Sequence, residues 1–403
     1  MCEVYKIKGI SSRFLFFLVA VIAGCLCGLS GINLLEQLGR CCSEIFMRIF
    51  KCISMPVVSL SVIVALSSCE SGKSMSIWKK TLLYTISTTL FAAVVSAVLY
   101  LIISPPDAGI SPDVQNHAQV VQADYLKYFL DIIPDNLMTA FSEHKVLSVL
   151  LISVIIGISV RFINETEAKS TVISFFHGIH SVFFTITKFI IKLLPIGLFG
   201  FVTVSVLELK NGLNLRGMGS YFLVITFANL IQGIIVLPVW LISRGINPVK
   251  TFKAMSPALS FAFFSKSSSA VLPITMESAE GNLGIHPKIS RFVFPLCATV
   301  NMNGCAAFIF TTVIYTMQNY GIEITSLTII TWILVATIAA IGNAGVPMGC
   351  FFLSASLLSL MDIPVPLLGV ILPFYSVIDM LETSLNVWSD SCVASVVNKE
   401  ASV

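Results

Sequence analysis

The sequence predicts an all-α membrane protein, and three observations support that prediction. Of the 403 residues, 56% are hydrophobic and only 11% are charged, whereas soluble domains have about 25% charged residues. Most of the apolar runs are long enough to cross a hydrocarbon core of roughly 30 Å. After residue 245 the apolar segments become shorter and polar clusters interrupt them. The long runs cover residues 14–31, 81–104, 146–160, 182–207 and 221–243.

The first 245 residues are predicted to form six membrane helices. Pro56 is expected to break the second helix, because proline cannot donate to the helical hydrogen-bond ladder. No small-residue cleavage site follows the first run, so we expect it to be retained as a helix. The predicted helices cover residues 14–31, 41–69, 79–104, 125–163, 180–208 and 218–244.

Two pairs of short apolar segments in the second half each flank a polar cluster. Each arm has about 14 residues, which is too short to span a membrane and fits a re-entrant hairpin. Paired short segments with Gly or Pro interruptions are typical of a transporter site between inverted repeats. The arms cover 250–264 and 270–282 around the serines 267–269, and 327–341 and 347–361 around residues 342–345.

A stripe of acidic and polar residues runs along the last apolar segment. At about 100° per residue its members share one helix face. The chain has no lysine or arginine between Arg291 and Lys399, and buried carboxylates need partners. We therefore expect bound cations or distant residues to neutralise them; a hydrated helix end is the alternative for the last acid. The stripe is Asp379, Glu382, Thr383, Asn386 and Asp390.

Charge placement predicts the orientation of the chain. Basic residues precede the first helix and lie between the second and third, whereas the loop 104–126 contains no lysine or arginine. By the positive-inside rule both termini are cytoplasmic and that loop is external. Short loops favour a bacterial inner membrane, and the net charge of +3 is too small to indicate nucleic-acid binding. The eleven cysteines are expected to be buried free thiols.

Four motifs in the second half indicate a family. Two further segments, FLDIIPDN at 129–136 and GINPVKTF at 245–252, support it. With these residues the chain resembles the glutamate transporter family, the dicarboxylate/amino-acid:cation symporters, over nearly its whole length and most closely the bacterial sodium-coupled members. The motifs are AFFSKSSSAVLPITM at 262–276, PLCATVNMNG at 295–304, AAIGNAGVP at 339–347 and DMLETSLNVWSD at 379–390.

The resemblance implies eight transmembrane helices plus two re-entrant hairpins, arranged as inverted repeats in an elevator fold. A scaffold would form a homotrimer, and a transport domain would slide across the membrane. The scaffold would comprise 1–78 (helices one and two) and 105–208 (external loop, helices four and five). The transport domain would comprise 79–104 (helix three) and 209–403, with helix six, hairpins at about 250–282 and 327–361, helix seven at about 290–318 and the last helix at about 366–397.

The same resemblance assigns roles to the stripe and the hairpin tips. Asp379 would hold the substrate ammonium with Thr383 beside it, and Asn386 would bind the α-carboxylate. Backbone N–H groups near Ser268, Ser269 and Gly345 would assist, since helix N-termini favour anions.

Two sodium sites are implied, while no organic cofactor is expected. Asp390 would bind one ion with the carbonyls of Cys297, Asn301 and Asn386. The carbonyls of Thr299, Ala340, Ile341 and Asn343 would bind the second, with the Met302 sulfur nearby.

Glu382 departs from the family, whose members with acidic substrates carry arginine there. Two like charges about 4 Å apart at an effective dielectric near 20 cost about 4 kcal/mol, so a neutral amino acid is the expected substrate. The alternatives are an acidic one, if Lys266 or protonation neutralises Glu382, and a cationic one. Lys266 is expected to balance Asp379 or Glu382, or else to extend to the cytoplasmic face.

Asn303 is the second departure, since sodium-coupled members carry aspartate there; Cys305 likewise replaces a threonine. A third cation site would combine Asn303 with Tyr84, Ser87 and Thr88, and the amide should weaken it. We therefore expect fewer coupled sodium ions, with proton coupling through Glu382 as an alternative.

The predicted function is cation-coupled symport of an amino acid across a lipid bilayer. A passive ion channel is the main alternative, because hairpins and carbonyl cages also form filters. We expect no enzyme: serines 267–269 have no histidine nearby in the sequence to act as a base.

Overall fold

The computed structural model describes residues 16, 19–67, 75–107, 133–142, 146–210, 215–343, 345, 348–361, 363 and 365–401. Every regular element in these ranges is helical, which confirms the all-α prediction. Several predicted features lie outside the described residues: most of the external loop, the first half of the FLDIIPDN segment, Pro347 and the basic residues before the first helix.

Seven helices make up the first half of the described chain. The third, α3, is an apolar helix long enough to span a membrane. The helices are α1 (Val19–Leu29), α2 (Asn33–Ser67), α3 (Met75–Ile103), α4 (Leu137–Ser142), α5 (Val146–Arg161), α6 (Thr166–Lys192) and α7 (Leu194–Lys210).

Three predictions about where helices are interrupted in this half are wrong. Pro56 lies inside the continuous helix α2; a membrane helix tolerates proline when neighbouring helices compensate, and α2 packs against α5, α6 and α7. The predicted helix 125–163 is not helical at 133–136, where Pro134 lies. The predicted helix 180–208 is two helices that meet at Leu193, two residues before Pro195.

The second half follows the predicted hairpins closely. A π-helical turn (Gln232–Val236) joins the helix that ends at Ile231 to the helix that begins at Leu237. The helices are α8 (Leu215–Ile231), α9 (Leu237–Ser243), α10 (Pro248–Ser265), α11 (Ser268–Asn282), α12 (Pro287–Val300), α13 (Asn303–Asn319), α14 (Ser326–Ile341), α15 (Gly349–Leu360) and α16 (Pro366–Glu400).

Local sequence explains where these helices begin. Asn247 caps α10 by accepting the backbone N–H of Lys250, with Pro248 at the first helical position. Ser267 and Thr325 cap α11 and α14 in the same way. Short polar side chains at the N-cap satisfy an otherwise unpaired backbone donor, so three of the four hairpin arms have a capped start, whereas α15 follows Met348, which forms no such bond.

Helix α13 is the centre of the second half. All of its residues except Gln318 are buried, and it packs against α3, α8, α14, α15 and α16. By contrast, α3 and the helix formed by α8 and α9 expose large apolar side chains such as Leu83, Phe91 and Ile234. Exposed apolar faces on long helices indicate contact with lipid, so the chain is a multi-pass membrane protein.

One end of the bundle carries a charge cluster around Glu400, the last residue of α16. Its carboxylate accepts from Lys80 at 3.1 Å, Arg244 at 2.8 Å and the Tyr84 hydroxyl at 2.8 Å. Partial burial tends to raise the pKa of Glu400, but the hydrogen bonds from Tyr84 and Lys80 and the two positive charges outweigh it, so the pKa is lowered. The cluster therefore fastens the end of α16 to α3 and α9.

Candidate substrate and cation sites

Interrupted helices meet at the candidate site. The tips of the two hairpins are in contact, since the Ser267 hydroxyl donates to the Gly345 carbonyl at 3.1 Å. Gly345 has φ +63, and a Cβ there would lie 2.9 Å from the Ser269 hydroxyl. Only glycine suits this conformation and this close approach. The predicted tip residues Ser268, Ser269 and Gly345 are thus brought together.

Asp379 lies beside these tips. It is only 4% exposed, and its carboxylate accepts the backbone N–H of Met348, just before α15, at 3.2 Å. The Lys266 ammonium donates to the Ser376 hydroxyl, one turn before Asp379, and lies close enough for its charge to attract Asp379. That Lys266 balances the charge of Asp379 stays a prediction.

Glu382 is fully buried on the same helix face. The Tyr375 hydroxyl donates to its Oε2 at 3.1 Å, whereas its Oε1 has no hydrogen-bond partner. In the structure, Lys266 forms no ion pair with Glu382, since its ammonium is directed to Ser376. A buried carboxylate oxygen without a partner is costly, so this position can accept a donor from a ligand.

Two cysteines adjoin Glu382. Cys305 on α13 and Cys350 on α15 are joined as a disulfide, with their Cα atoms 5.4 Å apart. The expectation that all buried cysteines are free thiols is wrong for this pair. The packing of α13 against α15 brings them together although 45 residues separate them, a proximity that spacing along the sequence does not reveal.

Asp390 lies on the same helix within a network of buried amides and hydroxyls. The Asn301 amide donates to its carboxylate at 2.9 Å and to the Ser389 hydroxyl at 2.9 Å. Asn301 follows the last turn of α12 and Met302 precedes α13, so the chain is not helical at these two residues. The break turns Asn301 toward Asp390, so two residues predicted to share a sodium ion lie in contact.

Asn303 lies at the centre of this network. Its amide nitrogen donates to the Asn301 Oδ1 at 2.9 Å, the Ser389 hydroxyl at 2.9 Å and the Thr88 hydroxyl at 3.4 Å. Its own oxygen accepts from Gln232 at 2.7 Å. Three oxygens therefore surround the NH₂ group of Asn303.

The side chains of two residues predicted for the third cation site contact other partners. The Tyr84 hydroxyl donates to Glu400 at the charged end of the bundle, and the Ser87 hydroxyl donates to the Leu83 carbonyl of its own helix at 2.7 Å. Thr88 alone among the three reaches Asn303. The structure thus supplies Gln232 and Ser389 to this site in place of Tyr84 and Ser87.

Amide and sulfur groups line the space between α13, α14 and α16. The Asn386 side-chain oxygen accepts the Gly304 N–H at 2.9 Å, and its nitrogen lies 3.4 Å from the Met302 sulfur. Asn343 donates to the Cys305 sulfur at 2.8 Å, while its Oδ1 has no partner. Met302 and Asn343 thus lie together, as predicted.

The other residues predicted as ligands lie on the helices around this space. The Ala340 carbonyl accepts the N–H of Asn343 at 3.0 Å, and the Thr299 hydroxyl donates to the carbonyl of Leu296 at 2.9 Å. The remaining residues, Cys297, Ile341 and Thr383, are buried or partly buried next to the breaks and on the stripe.

Sequence reasoning did not single out four residues that the structure places in the site. Gln232 is detectable as an amide inside the apolar run 221–243, and Ser389 directly precedes Asp390. Tyr375 and Cys350 give no signal in the sequence, because a tyrosine and a cysteine are common in apolar helices.

An all-helical membrane protein whose buried acids meet at interrupted helices has the features of a secondary transporter. The chain belongs to the sodium:dicarboxylate symporter family, whose model matches residues 14–400.

Its relatives include transporters of two substrate types. It is 28% identical to the neutral amino acid transporter B(0) of Bos taurus, over 94% of this chain and 78% of that protein. It is 28% identical to the proton/sodium-glutamate symport protein of Geobacillus stearothermophilus, over 88% and 86% respectively. It is 25% identical to the excitatory amino acid transporter 3 of Mus musculus, over 88% and 78%. The family is one of transporters, and these names support sodium-coupled symport of an amino acid or dicarboxylate.

Proposed function

We propose that this chain is a secondary active symporter that carries a neutral amino acid with Na⁺ by an elevator-type alternating access. The observation that supports the neutral substrate is Glu382, a buried carboxylate with an unpartnered oxygen and no ion pair to a basic side chain among the described residues. An amino acid with a negative side chain would place a like charge beside it, at a cost of about 4 kcal/mol.

The surroundings of Glu382 favour a side chain that donates a hydrogen bond. Asp379 offers a carboxylate for the ammonium group, and Asn386 with the hairpin tips offers donors for the α-carboxylate. The free Oε1 of Glu382 then accepts from a hydroxyl or amide on the substrate. Serine, threonine, asparagine and glutamine carry such donors, so we rank them above alanine.

Sodium coupling is supported by Asp390 and the amides beside it. A buried carboxylate within a set of oxygen ligands suits a hard monovalent cation, here a co-substrate. At the third site the Asn303 amide already donates to the oxygens that would otherwise bind an ion. We therefore expect fewer sodium ions per cycle than in relatives with aspartate at that position.

The remaining features follow the family pattern and stand as proposals. They are eight membrane helices with two re-entrant hairpins, and a homotrimeric scaffold of 1–78 and 105–208. A transport domain of 79–104 and 209–403 would move as a unit in a bacterial inner membrane with both termini cytoplasmic. The basic cluster at the Glu400 end supports that orientation.

An acidic substrate is the alternative, with Glu382 protonated and symport partly proton-coupled. The Tyr375 hydroxyl beside Glu382 and the glutamate transporters among the relatives favour it. A passive channel is a more distant alternative.

Uptake by the purified protein in proteoliposomes tests these assignments. Labelled serine, threonine, alanine, aspartate and lysine are compared with and without an inward sodium gradient, and at two pH values. Sodium-dependent uptake of serine or threonine above that of aspartate is expected. If aspartate outcompetes them, the substrate assignment is wrong, and if ²²Na⁺ enters equally without any amino acid, the protein is a channel.

A further inference from the structure

The region around Glu382 contains two cysteines that the proposed amino acid binding does not use. Cys305, Cys350 and Glu382 are all buried, and one ligand atom from each lies within 4.8 Å of the other two. The three residues come from three different helices, α13, α15 and α16. In the described part of the chain this is the only cluster of three metal-ligating His, Cys, Asp or Glu side chains at such distances.

We propose that the reduced form of this cluster binds a thiophilic divalent cation such as Zn²⁺ through the two thiolates and the Glu382 carboxylate. Zinc lies about 2.3 Å from sulfur and about 2.0 Å from oxygen, which places its ligand atoms about 4 Å apart. The three ligand atoms lie within 4.8 Å of one another, so once reduction separates the two sulfurs, rotation of the side chains brings them to zinc-binding distances.

Two further observations point to a cationic ligand here. Oε1 of Glu382 is a buried carboxylate oxygen without a partner, and a metal supplies the missing positive charge. The amides of Asn343 and Asn386 both donate to the Cys305 sulfur, at 2.8 and 3.4 Å. Donors directed at sulfur stabilise a thiolate, and such second-shell bonds orient metal ligands.

The redox state decides whether this site exists. In the structure the two sulfurs are joined, and a disulfide leaves no thiolates to bind zinc. A dithiol reagent such as dithiothreitol gives two electrons and two protons to the disulfide, producing two thiols and the cyclic oxidised reagent. Zinc binding then releases the two thiol protons.

Metal binding would also affect the proposed transport. A zinc ion held by α13, α15 and α16 would tie the second hairpin to the last helix and occupy Glu382. This consequence rests on the proposed function, whereas the metal site itself does not. Zinc is therefore expected to inhibit uptake by reduced protein.

The primary test measures zinc binding to the purified full chain in detergent, by competition with a chromophoric zinc chelator. Reduced wild type should bind one zinc per chain that Cys305→Ser and Cys350→Ser bind about a hundredfold more weakly. Oxidised wild type should bind as weakly as the variants. Cys392→Ser, which removes another buried thiol from α16, is the matched control and should bind like wild type.

A second measurement works on the wild type alone, in case a serine variant does not fold. Iodoacetamide labelling of reduced protein followed by mass spectrometry should show that Zn²⁺ protects Cys305 and Cys350 and leaves Cys392 unaffected. Equal zinc binding by wild type and both variants, or equal labelling with and without zinc, overturns the proposal. If zinc binds as expected but no amino acid is taken up, the proposed function fails and the metal site stands.

Discussion

Two acids on α16 differ in the polar groups that surround them. Asp390 accepts from Asn301, and the neighbouring amides and hydroxyls of Asn303, Ser389 and Thr88 are bonded to one another. Glu382, two turns earlier, has one bonded oxygen and one without a partner. Both carboxylates are buried.

We infer from this difference that the protein alone maintains the network around Asp390, whereas Glu382 needs a ligand. A satisfied network is rigid and holds its geometry whether or not an ion is bound. An unsatisfied buried carboxylate gains most from a ligand that donates to it. We therefore propose that ion coupling depends on the end of the stripe near Asp390 and substrate selection on the end near Glu382.

The largest expected effect comes from reversing the charge at the unsatisfied end. Glu382→Arg places a cation where a substrate carboxylate can pair with it, and a change of about 4 kcal/mol corresponds to roughly a thousandfold. The ratio of aspartate to serine uptake should rise by up to that factor. Glu382→Gln is the control for loss of charge alone and should raise the ratio by less. An unchanged ratio in Glu382→Arg would show that Glu382 does not face the substrate.

Removing the charge at the satisfied end should stop coupling. Asp390→Asn deletes a buried carboxylate, at a cost of about 3 kcal/mol or roughly a hundredfold in sodium affinity. Sodium-dependent uptake, measured against sodium concentration, should fall accordingly while the order of substrate preference is kept. Ser395→Ala is the control, because that hydroxyl only donates to Ser391 in its own helix. Wild-type sodium dependence in Asp390→Asn would contradict the assignment.

A smaller change tests whether the Asn303 amide occupies a cation position. Asn303→Asp replaces the donating NH₂ with a carboxylate oxygen among Asn301, Ser389 and Thr88. The apparent sodium affinity should rise roughly tenfold, which corresponds to about 1.4 kcal/mol, and one more sodium should accompany each substrate. The ratio of ²²Na⁺ to labelled serine taken up measures the number of coupled sodium ions. An unchanged ratio would show that the Asn303 amide does not occupy a cation position.

The smallest effect is expected at the charged end of the bundle, far from both acids. Glu400→Gln removes the ion pairs with Lys80 and Arg244, which are partly exposed, so the free energy of unfolding should fall by only about 1 kcal/mol. Because the pKa of Glu400 is lowered in the folded protein, its stabilisation is present above the unfolded value near 4.3 and is lost as the pH falls through the folded value. Thermal unfolding of wild type and variant should therefore differ at pH 7 and converge toward pH 3.

The sequence predicted the second half of the fold better than the first. Gly284 and the glycines at 342 and 345 lie just after helix ends, and Pro287 begins a helix. The hairpin bounds therefore agreed with the structure to within a few residues. In the first half, hydropathy alone indicates length and gives no position for a break. Pro56 therefore suggested an interruption that neighbouring helices suppress, and the break at Leu193 went undetected.

The candidate site was predictable only where charge is unusual. Asp379, Glu382 and Asp390 stand out because no basic residue accompanies them in sequence. Gln232, Ser389 and Cys350 join them through contacts between distant helices, which a single sequence does not encode locally. Tyr84 and Ser87 were placed by analogy, and the structure orients them toward other partners.

The π-helical turn at Gln232–Val236 lets the helix formed by α8 and α9 face both the lipid and the protein interior. A π turn contains one residue more than the α-helical turn it replaces, so it rotates the residues on either side relative to one another. Gln232 is fully buried while Ile234 and Ile235, on the same turn, are largely exposed. A one-residue insertion thus lets a lipid-facing helix deliver a single amide to the protein interior while its apolar surface stays continuous.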